Sequence, residues 1–332
     1  MIKRKNILII VAVLLQCFAL AAICFQRETI LDSGDIVYMR TAPVDPRDLF
    51  RGDYVWLNYE FSSLPISFFP EEMHDKMTTE MRVYLIYEID DNNVLVPKKV
   101  SIKKPLTGIK YLRAYTTGPF VWNASLKFGI EKYFMEQGTG RILERGKSLK
   151  GIRIPLEMEV AIGKGDGIAV IKGYRYSKLA MNIKMPERSN RKENDASAIT
   201  LQFINASDKP LAIVCPEDRS AFEIEILPRW NGRDPAKVKV IKNKKIIYSQ
   251  SDIKLLKPEE AYQVKIDLNS PNYQLQKKGK QITWKEFFSD YQIARIKYVA
   301  PAPEMLKGLE GAENLWNGVL YSRIFSGNDL SN

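Results

Sequence analysis

A mainly β protein hung from one N-terminal transmembrane helix is the fold class that three observations predict. Residues 7–25 form an almost unbroken apolar run, interrupted only by Gln16. Beyond residue 30, apolar residues recur with period two in short segments bounded by Gly, Pro, Asn and Asp, and no long helical periodicity returns. The 332 residues are 45% hydrophobic and 27% charged, which suits globular cores. A prior of about 100–200 residues per domain then suggests two of them.

The N-terminal helix comes first. At 1.5 Å per residue the apolar run nearly spans a hydrocarbon core of about 30 Å. Lys3-Arg4-Lys5 precede it, and mixed charge follows at Arg27, Glu28, Asp32 and Asp35. That asymmetry places the N-terminus in the cytoplasm and everything past residue 30 outside it. Residues 1–30 are therefore expected to be a signal-anchor, with the lipid bilayer as partner through residues 7–25. Two alternatives stay open. A cleaved signal lacks a good Ala-x-Ala site and would have a long apolar region. A lipoprotein box at Leu20-Ala21-Ala22-Ile23-Cys24 has Ile23 where a small residue is wanted.

Cys17 and Cys24 lie in the apolar run and only Cys215 lies beyond it, so no internal disulfide framework is available. Cys215 follows Leu211-Ala212-Ile213-Val214 and reads as a small buried hydrophobe. The formal net charge is +11, but Lys and Arg are scattered along β-type segments without any nucleic-acid-binding signature. Nucleic acid is excluded as a partner on that ground; anionic lipid heads or cell-wall polymers suit the charge better.

A first β-rich domain is expected over residues 34–182. Residues 36–39 are a short strand leading into Asp45-Pro46-Arg47-Asp48-Leu49-Phe50-Arg51-Gly52-Asp53-Tyr54-Val55-Trp56-Leu57-Asn58-Tyr59, around which the domain is organised. Pro43 and Pro46 bend the chain, Asp45 and Asp48 can hold turns, and Gly52 supplies a left-handed residue. From Tyr54 the period is two: Val55, Leu57, Tyr59 and Phe61 face one way, Tyr54, Trp56 and Asn58 the other. Residues 62–79 are a less regular excursion with one helical turn. Residues 81–89 and 94–96 make a hairpin about Asp90-Asp91-Asn92-Asn93, and residues 111–115 are a further strand. Residues 156–162 and 168–171 make a second hairpin about Gly165-Asp166-Gly167.

Gly52-Asp53-Tyr54-Val55-Trp56-Leu57-Asn58-Tyr59 resembles, letter for letter, the signature of the bacterial GDYxxLxY protein family. Pro43-Val44-Asp45-Pro46-Arg47-Asp48-Leu49 looks like that family's approach to it. Phe128-Gly129-Ile130-Glu131-Lys132-Tyr133-Phe134 and residues 138–144 are similar to its second block, with Met135-Glu136-Gln137-Gly138 a mild departure. The resemblance covers about residues 35–176. It implies a membrane-anchored bacterial protein, single-pass in the cytoplasmic membrane with its bulk periplasmic, without an established activity. Genes of the family often neighbour genes for multi-pass membrane proteins, which implies an integral membrane partner.

No catalytic constellation accompanies these motifs. His74 is the only histidine, without an elbow motif or paired acid, and ligation of a metal by His and Cys is excluded by count. Asp90 to Asn93 read as a hairpin turn and lack the spacing of a calcium loop. The Leu49-Phe50-Arg51-Gly52-Asp53 step is similar to signal-peptidase-like enzymes, but Val44-Asp45 stand where their nucleophile would be. No cofactor is expected. The candidate interaction residues are Asp45, Pro46, Arg47, Asp48, Arg51, Gly52, Asp53, Tyr54, Leu57 and Tyr59. Arg47 and Arg51, one helical turn apart, could present a fork to a carboxylate or phosphate, although neighbouring acids would neutralise it. Tyr54, Trp56, Phe120, Trp122, Tyr133 and Phe134 read as core or sheet-face residues before they read as a sugar platform.

Residues 183–197 are polar and charged and read as a linker. A second domain, an Ig-like antiparallel β-sandwich over residues 198–326, is expected from about seven short strands with regular turn signals. These include residues 199–204, 211–215, 221–227 and 261–268, and a hairpin of 238–241 with 245–248. Asp290-Tyr291-Gln292-Ile293 and the Trp316-Asn317-Gly318 strand resemble the end of bacterial Ig-like modules, with Tyr291 as tyrosine corner. The whole reads as a non-catalytic envelope protein, an accessory or assembly module for an integral membrane partner with the second domain held outward. The alternative is an extracytoplasmic module that binds cell-wall or surface polymer.

Overall fold

The structure, a computed structural model, describes residues 4–42, 54–74, 77–118, 125–135, 143, 146–184, 198–217, 219–227, 237–240, 247–270, 273–277, 279–289 and 293–326. The chain is mainly β behind one long N-terminal helix, as expected. That helix, α1 (Arg4–Ser33), contains a stretch, Asn6–Ser33, long and apolar enough to cross a membrane, and none of its most apolar window is buried in the protein. Phe18 and Phe25 are each 76% exposed, so the surface of this helix finds no protein core to cover it.

At its last turns α1 joins the β structure. Ile30 is buried, Gln26 Nε2 donates to Asp166 Oδ2 at 3.0 Å, and Arg27 Nη1 donates to the Ala169 carbonyl at 3.2 Å. Only Gly34 separates α1 from β1 (Asp35–Ala42). A Cβ at Gly34 would lie 2.5 Å from the Ile30 carbonyl oxygen and 3.0 Å from that of Ile162, so no other residue fits this corner.

The first unit continues through β2 (Tyr54–Trp56), β3 (Asn58–Tyr59), β4 (Arg82–Ile89), β5 (Leu95–Ser101), β6 (Tyr111–Thr116), β7 (Leu126–Lys127) and β8 (Lys132–Phe134). It ends with β9 (Lys147–Leu149), β10 (Ile152–Ile154), β11 (Leu156–Ile162) and β12 (Ala169–Tyr176). One sheet runs β12-β11-β1-β3 and another β5-β4-β6-β7, while β2 pairs with β8 and β9 with β10. Inward residues of the larger sheets, among them Val37, Met39, Leu85, Leu112 and Val160, share a core with Leu64, Met73 and Met77 from the irregular excursion. The short helix Glu71–His74 is the single helical turn expected there. At the first hairpin, Asp90 Oδ1 accepts from the amides of Asn92 and Val94 at 2.9 and 2.8 Å, and Asn93 adopts a φ of 60°. Asn tolerates that left-handed conformation better than most residues.

The second unit contains β13 (Leu179–Lys184), β14 (Ala198–Asn205), β15 (Leu211–Val214), β16 (Phe222–Leu227), β17 (Lys237–Val240), β18 (Ile253–Leu256) and β19 (Ala261–Asp267). It is completed by β20 (Tyr273–Lys277), β21 (Lys280–Ile282), β22 (Ile293–Val299), β23 (Val319–Tyr321) and β24 (Phe325–Ser326). The sheets β13-β14-β19 and β16-β22-β23, the latter with β24 on β22, supply one core. At its centre Phe203, Phe222 and Tyr298 pack with ring centroids 5.3–6.2 Å apart. Cys215 is buried beside them, and burial pushes its thiol up to about 12, as befits an inert small hydrophobe.

Three expectations change. β13 pairs along its length with β14, from Leu179 opposite Asn205 to Lys184 opposite Thr200, and Leu179, Met181 and Ile183 join the second core. The second unit therefore begins near residue 179, earlier than the boundary drawn at 182 and the linker drawn over 183–197. Of that linker, residues 185–197 lie outside the described residues. β17 pairs with β20, Val240 opposite Tyr273; of the hairpin expected between 238–241 and 245–248, Tyr248 and Ile247 are in no strand and the rest of the return lies outside the described residues. Residues 241–246 are not described. Finally, Trp284–Ser289 is a helix that the sequence reading left unassigned. Thr283 and Glu286 cap it reciprocally: Glu286 N donates to Thr283 Oγ1 at 3.1 Å and Thr283 N to Glu286 Oε2 at 2.7 Å. Tyr291, expected as a tyrosine corner, lies outside the described residues.

Two stability measurements follow. Phe203→Ala empties the centre of the second core and lowers unfolding stability by about 3–5 kcal/mol in chemical denaturation of the detergent-solubilised protein. Gly34→Val forces apart the corner between α1 and β1 and costs roughly 1–3 kcal/mol in the same assay.

Candidate functional site

The motif strand divides between what is described and what is not. Asp45, Pro46, Arg47, Asp48, Arg51, Gly52 and Asp53 lie outside the described residues, as do Phe120 and Trp122, so the Arg47/Arg51 fork has no geometry to report. Tyr54 sits in β2 opposite Phe134. Val55, Leu57, Tyr59 and Phe61 are buried, while Trp56 and Asn58 are exposed, which is the alternation expected. Leu57 and Tyr59 are thus core residues. The Tyr59 hydroxyl donates to the Ile130 carbonyl at 2.8 Å, and its ring packs on Phe61 and Phe128. Burial, followed by Glu131, raises this phenol well above its ordinary value, so it stays protonated as a donor.

These contacts join the two sequence blocks. Val55 lies opposite Tyr133 and Trp56 opposite Lys132, and the Leu57 amide donates to the Glu131 carbonyl at 2.7 Å. Glu131 in turn accepts from the amides of Phe128 and Gly129, shaping the turn that feeds β8. Outside this ribbon Trp56 is 41% and Phe134 70% exposed, with Lys132 Nζ 5.1 Å from the Trp56 ring centroid. The motif is one half of a paired ribbon, and its outer face is aromatic.

A second site was not anticipated. On the face of the β12-β11-β1 sheet turned away from Met39 and Met158, Arg175, Glu157 and Arg40 stand directly opposite one another across three strands. Glu157 accepts from Arg40 Nη2 at 3.0 Å and from Arg175 Nε at 2.7 Å. In the second unit Glu225 stands opposite Arg295 across β16 and β22, and Arg295 Nε donates to Glu225 Oε2 at 2.8 Å. The two ladders meet. Arg40 Nη1 donates to the Val319 carbonyl at 2.8 Å and lies 3.6 Å from Glu60 Oε2, while Arg295 Nη1 donates to the Glu60 carbonyl. Arg175 and Arg295 lie over the rings of Tyr38 and Tyr321, at 3.4 and 4.1 Å from their centroids. Arg40, Glu157 and Arg295 are each no more than 3% exposed, so the polar face that strand alternation assigns to solvent is sealed between the units.

Two further contacts close the junction. The Asp90–Asn93 turn docks on the Trp316-Asn317-Gly318 corner: Asn92 Nδ2 donates to the Asn317 carbonyl and Asn317 Nδ2 to Asp91. A Cβ at Gly318 would lie 2.5 Å from Asp90 Oδ2, so glycine permits the approach. Nearby, Ile152 and Ile154 of β10 pack against Ala180 and Ile204 of the second unit. The second unit is therefore joined to the first along a built interface.

The electrostatics of the clasp are unequal. Burial pushes the Glu60 carboxyl up to about 7, against the opposing pull of Arg40 and Arg295. Burial would raise Glu157 too, but Arg40 and Arg175 outweigh it and hold that carboxyl below its usual range. The guanidinium groups are aimed at carboxylates and carbonyls, so the arrangement suits holding two units together and not activating a substrate. Among the described residues no cluster of His, Cys, Asp and Glu suits a metal ion.

A β module entered directly from a membrane-type helix, with two sequence blocks paired into one ribbon, is the class this architecture defines. Residues 16–173, a little under half the chain, match the family model described as GDYXXLXY protein. The match begins within α1 and ends in β12, leaving the second unit outside it. Among curated proteins none matches the chain significantly.

The clasp gives two expected outcomes. Arg40→Met strands Glu60 in the interface and leaves Glu157 with Arg175 alone, at a cost of about 3–5 kcal/mol in denaturation, while a paired Arg40→Met/Glu60→Leu exchange recovers part of the loss. Glu60 has a folded pKa above its unfolded one, so its contribution is present in full below about pH 4.5 and is lost as pH rises through about 7. The stability difference between wild type and Glu60→Gln therefore shifts by up to about 3 kcal/mol between pH 4.5 and 7.5, against the wild type at the higher pH.

Proposed function

We propose that this protein is a non-catalytic, single-pass envelope component of the bacterial cytoplasmic membrane, whose joined β units serve as an accessory or assembly module for an integral membrane partner. The single observation that carries the reading is the passage from α1 through Gly34 into β1, with Gln26 and Arg27 hydrogen-bonded to the neighbouring hairpin and Ile30 buried. A β body fixed in this way stays at the bilayer surface, where a multi-pass protein presents its loops. Lys3-Arg4-Lys5 ahead of the apolar run favour a cytoplasmic N-terminus and a periplasmic β body.

The second unit is read as an Ig-like sandwich, on the support of two antiparallel sheets that share one core. The exposed Trp56 and Phe134 on the motif ribbon offer an aromatic docking face.

The test is gentle-detergent purification of the full-length chain beside Arg47→Ala/Arg51→Ala. The expected result is one multi-pass membrane protein in stoichiometric amount with the wild type, and its loss with the variant. Folded protein of both forms that carries no membrane partner sinks the assembly reading.

A further inference from the structure

We infer that the loop from Ile102 to Lys110 is a second membrane contact, which lays Leu106 and Ile109 into the headgroup layer while its lysines meet anionic lipid phosphates. The inference rests on the reading of α1 as the membrane span. At the end of the apolar run, Gln26 holds Asp166, which fixes the Gly163–Ile168 turn at the level where α1 leaves the hydrocarbon. The start of β6 lies against that same turn. The Tyr111 hydroxyl donates to the Gly165 carbonyl at 2.8 Å, and the Arg113 amide donates to the Gly167 carbonyl at 2.8 Å. Lys110 Nζ and Lys164 Nζ lie 3.8 and 3.9 Å from Asp35, the first residue of β1.

The loop that arrives at this point has the composition of an interfacial contact. Leu106 is 80% exposed, among the most exposed large apolar side chains of the β units, and Ile109 is 44% exposed. The Ile109 amide donates to the Leu106 carbonyl at 3.2 Å, and Gly108 takes a φ of 93° that permits the tight turn between them. Lys103 and Lys104 are exposed and make no ion pair among the described residues. At the corner where the loop ends the acids are already engaged, Asp35 by Lys110 and Lys164 and Asp166 by Gln26, while Glu28 and Asp32 lie on α1 beyond the apolar run. Apolar residues bracketed by lysines are the pattern that seats in an anionic interface, the apolar part about 5–10 Å deep and the cations among the headgroups. Continuity with the spanning helix decides in favour of lipid over a soluble partner.

The test uses the full-length chain in nanodiscs, with Leu106→Cys carrying an environment-sensitive fluorophore and Cys17→Ala and Cys24→Ala removing competing thiols. Discs of phosphatidylcholine alone are compared with discs of equal parts phosphatidylcholine and phosphatidylglycerol, each with a headgroup-proximal lipid quencher. The expected result is quenching in the mixed discs that falls about fivefold in phosphatidylcholine, and equally with Lys103→Glu/Lys104→Glu. The same label at Ile247→Cys, in the second unit, stays unquenched. A chain retained in the discs with its label exposed to water in both lipids overturns the loop contact and leaves the anchor standing. Equal quenching in both lipids overturns the anionic headgroup assignment. A chain not retained in the discs overturns the anchor and the loop contact together.

Discussion

The burial of charge between the two β units is the constraint on which the rest of the extramembrane structure depends. Arg40, Glu157 and Arg175 form a row across one sheet, and Glu225 and Arg295 form a shorter row across another. Each row would be an ordinary solvent-facing ladder on an isolated sheet. Brought together, Arg40 and Arg295 leave water, so each needs a second acceptor, and those acceptors come from the opposite unit at Val319 and Glu60. Such a network adds little net stability over apolar packing, but it penalises every misaligned approach, because a buried charge left without its partner is costly. Relative placement of the units is what the clasp specifies.

Why Glu60 and Glu157 behave so differently follows from where they sit. Glu157 lies between two arginines on its own sheet and accepts from both. Glu60 follows β3 and meets Arg40 at the longer distance of 3.6 Å. One carboxylate is held ionised by close donors; the other is desolvated with less in return. The junction thus contains one carboxyl pushed up to about 7 and another held below its usual range.

Local signals were legible in the sequence and non-local ones were not. The Asp90-Asp91-Asn92-Asn93 and Gly165-Asp166-Gly167 turns, the alternation from Val55 to Phe61 and the long apolar N-terminal helix could be read because each depends on neighbouring residues. Strand alternation places Arg40 and Glu157 opposite the first core, yet it cannot say that a second sheet covers that face. The pairing of β17 with β20 and of β13 with β14 is hidden for the same reason, since polar composition past residue 184 reads as a linker whether or not the strands on either side meet. The helix at Trp284–Ser289 is a different case: Thr283-Trp284-Lys285-Glu286 carries a capping box that was there to be read. Of the candidate site, the burial of Leu57 and Tyr59 emerged as core packing, and the pairing of the two motif blocks explains why both belong to one signature.

The corner at Gly34 has a mechanical consequence. A long flexible stalk lets an exported domain sweep a hemisphere and sample many heights above the bilayer. Here α1 enters β1 after one residue and is pinned at Gln26, Arg27 and Ile30, so it behaves as a shaft and not as a tether. Its altitude is set, and its remaining freedom is azimuthal. Any turn of that shaft by one residue's worth of helix, about 100°, carries the whole β body round through the same arc.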